Sequence, residues 1–164
     1  MKKIISTLNL ILLLITVNTG LLNAQIGKNR QQIFSEYEIT DVIKEEKKGD
    51  VKQLHVNISE GGGFYYYIFS LQNDIVVGVG VVKLNALTRK NDQLPISKAV
   101  ELMRRNSKKW MIFSQQKLQL DVVMFVSPDE GQPELYATYL DHKCLNINTK
   151  KYAETFMGSA AVER

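Results

Sequence analysis

The chain has a single cysteine, Cys144, among its 164 residues. A lone thiol makes no internal bridge, so stability must come from packing rather than from cross-links. The expected role of Cys144 is that of a small buried hydrophobe, with an intermolecular disulfide or a reactive thiol as the alternative. Histidines are scarce too, since His55 and His142 are the only two. No G-x-S-x-G elbow, H-E-x-x-H pair, Walker loop or EF-hand loop occurs, which removes the commonest hydrolase, metalloprotease, nucleotide and calcium readings. No apolar run approaches the roughly 20 residues needed to span a bilayer as a helix, so no membrane span is expected. Excess charge of one sign is also missing. The formal net charge of +4 includes Lys2 and Lys3 of a leader-like start, and the near-neutral remainder gives no reason to expect a nucleic-acid or other polyanion partner.

What is present begins with that leader. Lys2 and Lys3 precede an apolar core, Leu10 to Val17, and Leu22-Asn23-Ala24 offers a cleavage site before Gln25, the pattern of a signal peptide over residues 1–24. Export to the periplasm or beyond follows, after cleavage near Ala24. The only cysteine lies far downstream of that point, so a lipid anchor is not expected. The remainder has the length of one ordinary domain, expected over residues 25–140 with a fraying C-terminal tail over 141–164.

Asn29 with Gln32 three residues on forms a capping-box signal ahead of Ile33, Phe34 and Tyr37, predicting a short first helix. The charged run KEEKKGD, Lys44 to Asp50, reads as a solvated connector. QLHVNI then alternates, with Leu54, Val56 and Ile58 on one strand face and His55 and Asn57 on the other. Gly61-Gly62-Gly63 reads as a turn rather than a phosphate cradle, because aromatic strand formers and not a helix follow it. LPISKAVELMRRNSKK predicts the best helix, with Ile96, Ala99, Val100 and Met103 at helical spacing and Arg104, Arg105, Lys108 and Lys109 at an end where cations complement the helix dipole. Strands are expected at Trp110–Ser114, in KLQLDVVMFV and in ELYATYL. The expected fold class is therefore α+β, an antiparallel sheet of about six strands in the order α-βββ-α-βββ with two helices on one face.

FYYYIFSLQNDIVVGVGVVKL, Phe64 to Leu84, is the most informative stretch. Asn73-Asp74 tolerates the left-handed conformations of a two-residue hairpin loop. An unbroken register from that turn sets Leu71 opposite Val76, Phe69 opposite Gly78 and Tyr67 opposite Gly80, so that aromatic rings would shield glycine backbone on the neighbouring strand. Phe64, Tyr66, Ile68, Ile75, Val77, Val79 and Val81 would then face the helices. Tyr65, Tyr67, Phe69, Leu71, Val76 and Val82 would form an open face, apolar along its body and tipped with phenols.

That face is the candidate binding site: Tyr65, Tyr67 and Phe69, joined by Val123, Phe125 and Tyr136. A bare apolar patch of this kind predicts a covering protein, a small apolar ligand or a second copy of the chain; the alternative is that the tail folds over it. Catalysis and cofactors are not expected. The one arrangement worth testing for chemistry is LDHKCLN, where His142 and Cys144 could make a hydrolase nucleophile pair or contribute to a metal site, although side chains so close in sequence at a strand end diverge.

The leader ending LNAQ and the opening IGKNRQQI resemble those of exported Bacteroidetes-type proteins. The succession of glycine, short helix, aromatic strand, Asn-Asp turn and valine strand over about residues 26–84 is similar to the helix-plus-hairpin module of the SmpA/OmlA outer-membrane-assembly lipoproteins and of the β-lactamase-inhibitor-like fold. The resemblance implies a periplasmic interaction protein rather than an enzyme. The lipid-bearing cysteine of those lipoproteins and the Gly-x-Pro that often ends their helix are not present here.

Overall fold

The computed structural model describes residues 24–114, 122–127, 134–140 and 142–153. Helix α1 (Arg30–Glu36) opens on the capping box read from the sequence: Asn29 Oδ1 accepts from the Gln32 N–H and Gln32 Oε1 from the Asn29 N–H, both at 2.9 Å. Four strands follow, β1 (Ile39–Lys48), β2 (Val51–Glu60), β3 (Gly63–Gln72) and β4 (Ile75–Leu84), then the two-residue β5 (Asn91–Asp92). Helix α2 (Ile96–Asn106) leads to β6 (Met111–Ser114), β7 (Val122–Ser127), β8 (Leu135–Leu140) and β9 (Cys144–Thr149), with a helical turn at 150–153. All strand pairs are antiparallel, in the order β1-β2-β3-β4-β9-β8-β7-β6 with β5 beside β4.

The α+β class and the antiparallel sheet are as expected, but the sheet is larger than six strands. The supposed connector from Lys44 is the second half of β1, an edge strand whose charges discourage pairing with another chain. The supposed tail from Asp141 contains β9, which joins the two halves of the sheet by pairing with both β4 and β8.

Tight turns work as their chemistry dictates. Gly61 and Gly62 have φ of 56° and 75°, and Asn73 and Asp74 have φ of 50° and 65°, the left-handed pairs that two-residue hairpins demand. The register after the second turn, however, is broken. Gln72 pairs with Ile75 and Leu71 with Val76, but Ser70 pairs with Gly78, leaving Val77 as a bulge. One extra residue moves every later position by one and exchanges the faces. Tyr67 therefore lies opposite Val81 and Ile68 opposite Gly80.

The consequence is a reversal of the expected faces. Tyr65, Tyr67, Phe69 and Leu71, with Leu54, Val56 and Ile58 of β2, Val76, Val79 and Val81 of β4 and Leu145 and Ile147 of β9, form one core with Ile33 of α1 and Ala99, Leu102 and Met103 of α2. Both helices thus cover the Tyr67 side. Tyr67 is 0% exposed; its ring stacks on Phe69 at 5.5 Å and its hydroxyl donates to Glu60 Oε2 at 3.1 Å. In α2 the buried stripe is Ala99, Leu102, Met103 and Asn106, whereas Ile96 and Val100 face outward. Nor is the basic end of α2 wholly solvated, since Arg105 pairs with Glu60 at the end of β2 and with Glu101 one turn back in α2.

Candidate functional site

Among the described residues the reversal leaves the other face of the sheet open apart from the turn at 150–153, and a cavity of about 600 Å³ lies on it. Its floor is the centre of the sheet, where Ile68 of β3, Gly80 of β4, Asn146 and Asn148 of β9 and Thr138 of β8 come together. Alternation explains the floor: Leu145 and Ile147 turn into the core, so Asn146 and Asn148 point the opposite way. They pair with Gly80 and Gly78 on one side and with Thr138 and Tyr136 on the other.

The two glycines make the trough. A Cβ on Gly78 would press on Asn148 Oδ1 and lie 2.9 Å from Cε1 of Tyr152, and one on Gly80 would lie 3.0 Å from Asn146 Oδ1. Ring-over-glycine shielding is thus present, but it comes from Tyr152 in the helical turn after β9 and not from Phe69 or Tyr67. The Tyr152 hydroxyl donates to Ser70 Oγ at 3.1 Å, anchoring that turn against β3.

A titratable group closes the β1 side. His55 is 4% exposed; Nδ1 lies 2.7 Å from the Tyr66 hydroxyl, and Nε2 approaches Glu46 Oε1 at 3.2 Å without closing a hydrogen bond. Burial lowers its pKa, and Lys44 lowers it further, against the opposing pull of Glu46, so the ring is neutral at pH 7. Glu46 in turn holds Lys44 at 3.0 Å and Lys48 at 3.5 Å, and the Lys44 contact keeps its carboxyl below the ordinary value. The charges at this rim are already engaged with one another.

Compared with protein-family models, curated proteins and solved structures, the chain matches none. The functional reading therefore rests on the site itself.

Of the residues expected to bind, Tyr65, Tyr67 and Phe69 lie under the helices and are closed to a ligand, because the bulge and the helix packing put their face inside. Tyr136 lines the open trough, and its hydroxyl donates to Glu134 at 3.1 Å. Phe125 belongs to β7, with its side chain outside the described residues, as is that of Val123. His142 sits in the turn before β9 with φ of 51° and its ring edge-on to Tyr139 at 5.4 Å. Burial raises the Cys144 thiol above its ordinary pKa, the direction opposite to an activated nucleophile. Among the described residues no group of three or more His, Cys, Asp or Glu could hold a metal ion. The trough residues Asn146, Asn148, Thr138 and Tyr152 were missed. The Leu-Asn-Ile-Asn alternation of 145–148 was the signal that could have found the two asparagines.

Proposed function

We propose that this chain is an exported, non-catalytic binding module and that its ligand is a neutral polyhydroxylated molecule, sugar-like in chemistry, seated on the open sheet face. The observation that carries the reading is the floor of the trough: two carboxamides, Asn146 and Asn148, project side by side beside two glycines, between Tyr136 and Tyr152. Each carboxamide offers paired donors and an acceptor, the complement of vicinal hydroxyls. Asn146 spends one donor on a weak acceptor, Cys144 Sγ, at 3.5 Å. The tyrosines supply flat walls for the apolar side of a ring. The self-engaged charges of Lys44, Glu46 and Lys48 favour an uncharged ligand, and the volume suits a small molecule. A role outside the cytoplasm is part of the proposal, and it rests on reading residues 1–24 as a leader.

The test is a titration of the protein with a panel of neutral mono- and disaccharides, followed by heteronuclear NMR shifts. Binding should move resonances of β8 and β9, and Asn148→Leu should weaken it about tenfold, the loss of roughly one hydrogen-bonding group. Shifts confined to other surfaces, or an Asn148→Leu protein that binds as tightly as the parent, would refute the assignment. A hydrolase centred on His142 and Cys144 has no such support, and Cys144→Ser should leave binding unchanged.

A further inference from the structure

Near the start of the described residues stands one with an unusual set of partners. Gln25 is 0% exposed, immediately before the exposed turn at Gly27. Its backbone N–H donates to Asn106 Oδ1 at 2.9 Å, and its side-chain Oε1 accepts from Asn106 Nδ2 at 2.8 Å. The orientation of the Asn106 carboxamide is fixed independently. Oδ1 also accepts the Ile26 N–H at 3.0 Å, and Nδ2 also donates to the Leu102 carbonyl at 3.0 Å; an N–H needs an acceptor there and a carbonyl needs a donor. One atom of Gln25 is left over. Nε2 and the Tyr37 hydroxyl are both buried without a well-formed hydrogen bond, and the Gln25 amide has the Tyr37 hydroxyl as a loosely placed partner.

We propose that the mature chain begins at Gln25, that this residue is cyclised to pyroglutamate, and that Asn106 is the receptor for the resulting lactam. The inference rests on reading residues 1–24 as a cleaved leader. Cleavage there would turn the Gln25 N–H into an α-amino group, whose charged form would be stripped of water against a neutral partner, a costly arrangement. Cyclisation removes that charge. It also removes Nε2, a buried donor with only a loosely placed partner, and keeps the two groups that Asn106 already holds. A lactam carries its N–H and C=O on the same side, matched to the acceptor and donor of one primary amide. The chemistry balances without a co-reactant: the α-amine nitrogen adds to Cδ, the Cδ–Nε2 bond breaks, and Nε2 departs as ammonia with a proton from the amine.

The full chain, expressed with its own leader and recovered after export, should have the mass of residues 25–164 less one ammonia and should resist stepwise amino-terminal degradation. A pyroglutamyl peptidase should release the cap from the unfolded protein but not from the folded one. Asn106→Asp keeps an acceptor but cannot donate to the lactam, so it should still cyclise, melt at a lower temperature and expose the cap to the peptidase while folded. Gln25→Ala, which cannot cyclise, should also melt lower than the parent. A free amino-terminal Gln25 on the folded protein overturns the proposal, as does an Asn106→Asp cap as protected as the parent's. A mature chain that starts elsewhere overturns it together with the leader reading, while sugar binding at the open face stands or falls separately.

Discussion

The two faces of strand β3 differ in what crosses them, although tyrosines point both ways. On one side Tyr65, Tyr67 and Phe69 meet Ile33, Ala99, Leu102 and Met103 from two helices. On the other, Tyr66 and Ile68 share a side with Gly80 and Asn146, and among the described residues the turn carrying Tyr152 is what lies over that surface, at Ser70 and Gly78. Residue type alone does not decide which aromatic becomes core. The decision lies with the covering elements and with one bulge, Val77, which swings Val76 onto the same side as Val79 and Val81. The covered face is filled and apolar, while the other, among the described residues, is lined with amides and glycines.

The largest contrast between the faces should appear on truncation. Tyr67→Ala leaves a cavity beneath both helices and should cost about 4 kcal/mol in urea unfolding, whereas Tyr66→Ala, half-buried and bonded to His55, should cost about 1 kcal/mol. Equal losses would abolish the distinction. Next come the glycines. Gly78→Ala drives a methyl into both the Asn148 carboxamide and the Tyr152 ring and should cost about 2 kcal/mol, while Gly80→Ala meets the movable end of Asn146 and an ordinary contact with Ile68 and should change stability by less than about 0.5 kcal/mol. The open face should also carry a pH dependence. Because the folded pKa of His55 is depressed below its ordinary 6.5, the unfolded chain takes up its proton first, and stability should fall as pH drops below that value and level off under the folded pKa. His55→Phe should flatten that part of the curve; an unchanged slope would assign it to other groups. Smallest of all, Leu87→Ser at a 93% exposed position should shift stability by less than about 0.5 kcal/mol, setting the baseline for either face.

Much of the local structure was legible because it is written in short-range chemistry. The Asn29–Gln32 capping box, the Gly61-Gly62 and Asn73-Asp74 turns and the inward set Leu54, Val56 and Ile58 all depend on residues within a few positions of one another. The site was not legible, for two physical reasons. Both faces of the Phe64–Leu84 hairpin are apolar, so period-two alternation could not say which is covered, and nothing in the valine run announces a bulge. Edge strand β1 is wet on most of its length, and charged residues there imitate a loop. Tyr136 was named for a face it does not occupy, and it lines the trough because β8 alternates with Leu135, Ala137 and Tyr139 inward.

Strand β9 is the last strand in chain order among the described residues, yet it lies at the middle of the sheet, with β4 on one flank and β8 on the other. Until residues 144–149 emerge, two partial sheets have no backbone ladder to join them, and each presents an unpaired edge. Assembly therefore waits for a late segment to slot between earlier ones. A nascent chain built on this plan stays incomplete through most of its synthesis, because the strand that closes the sheet is among the last to be made.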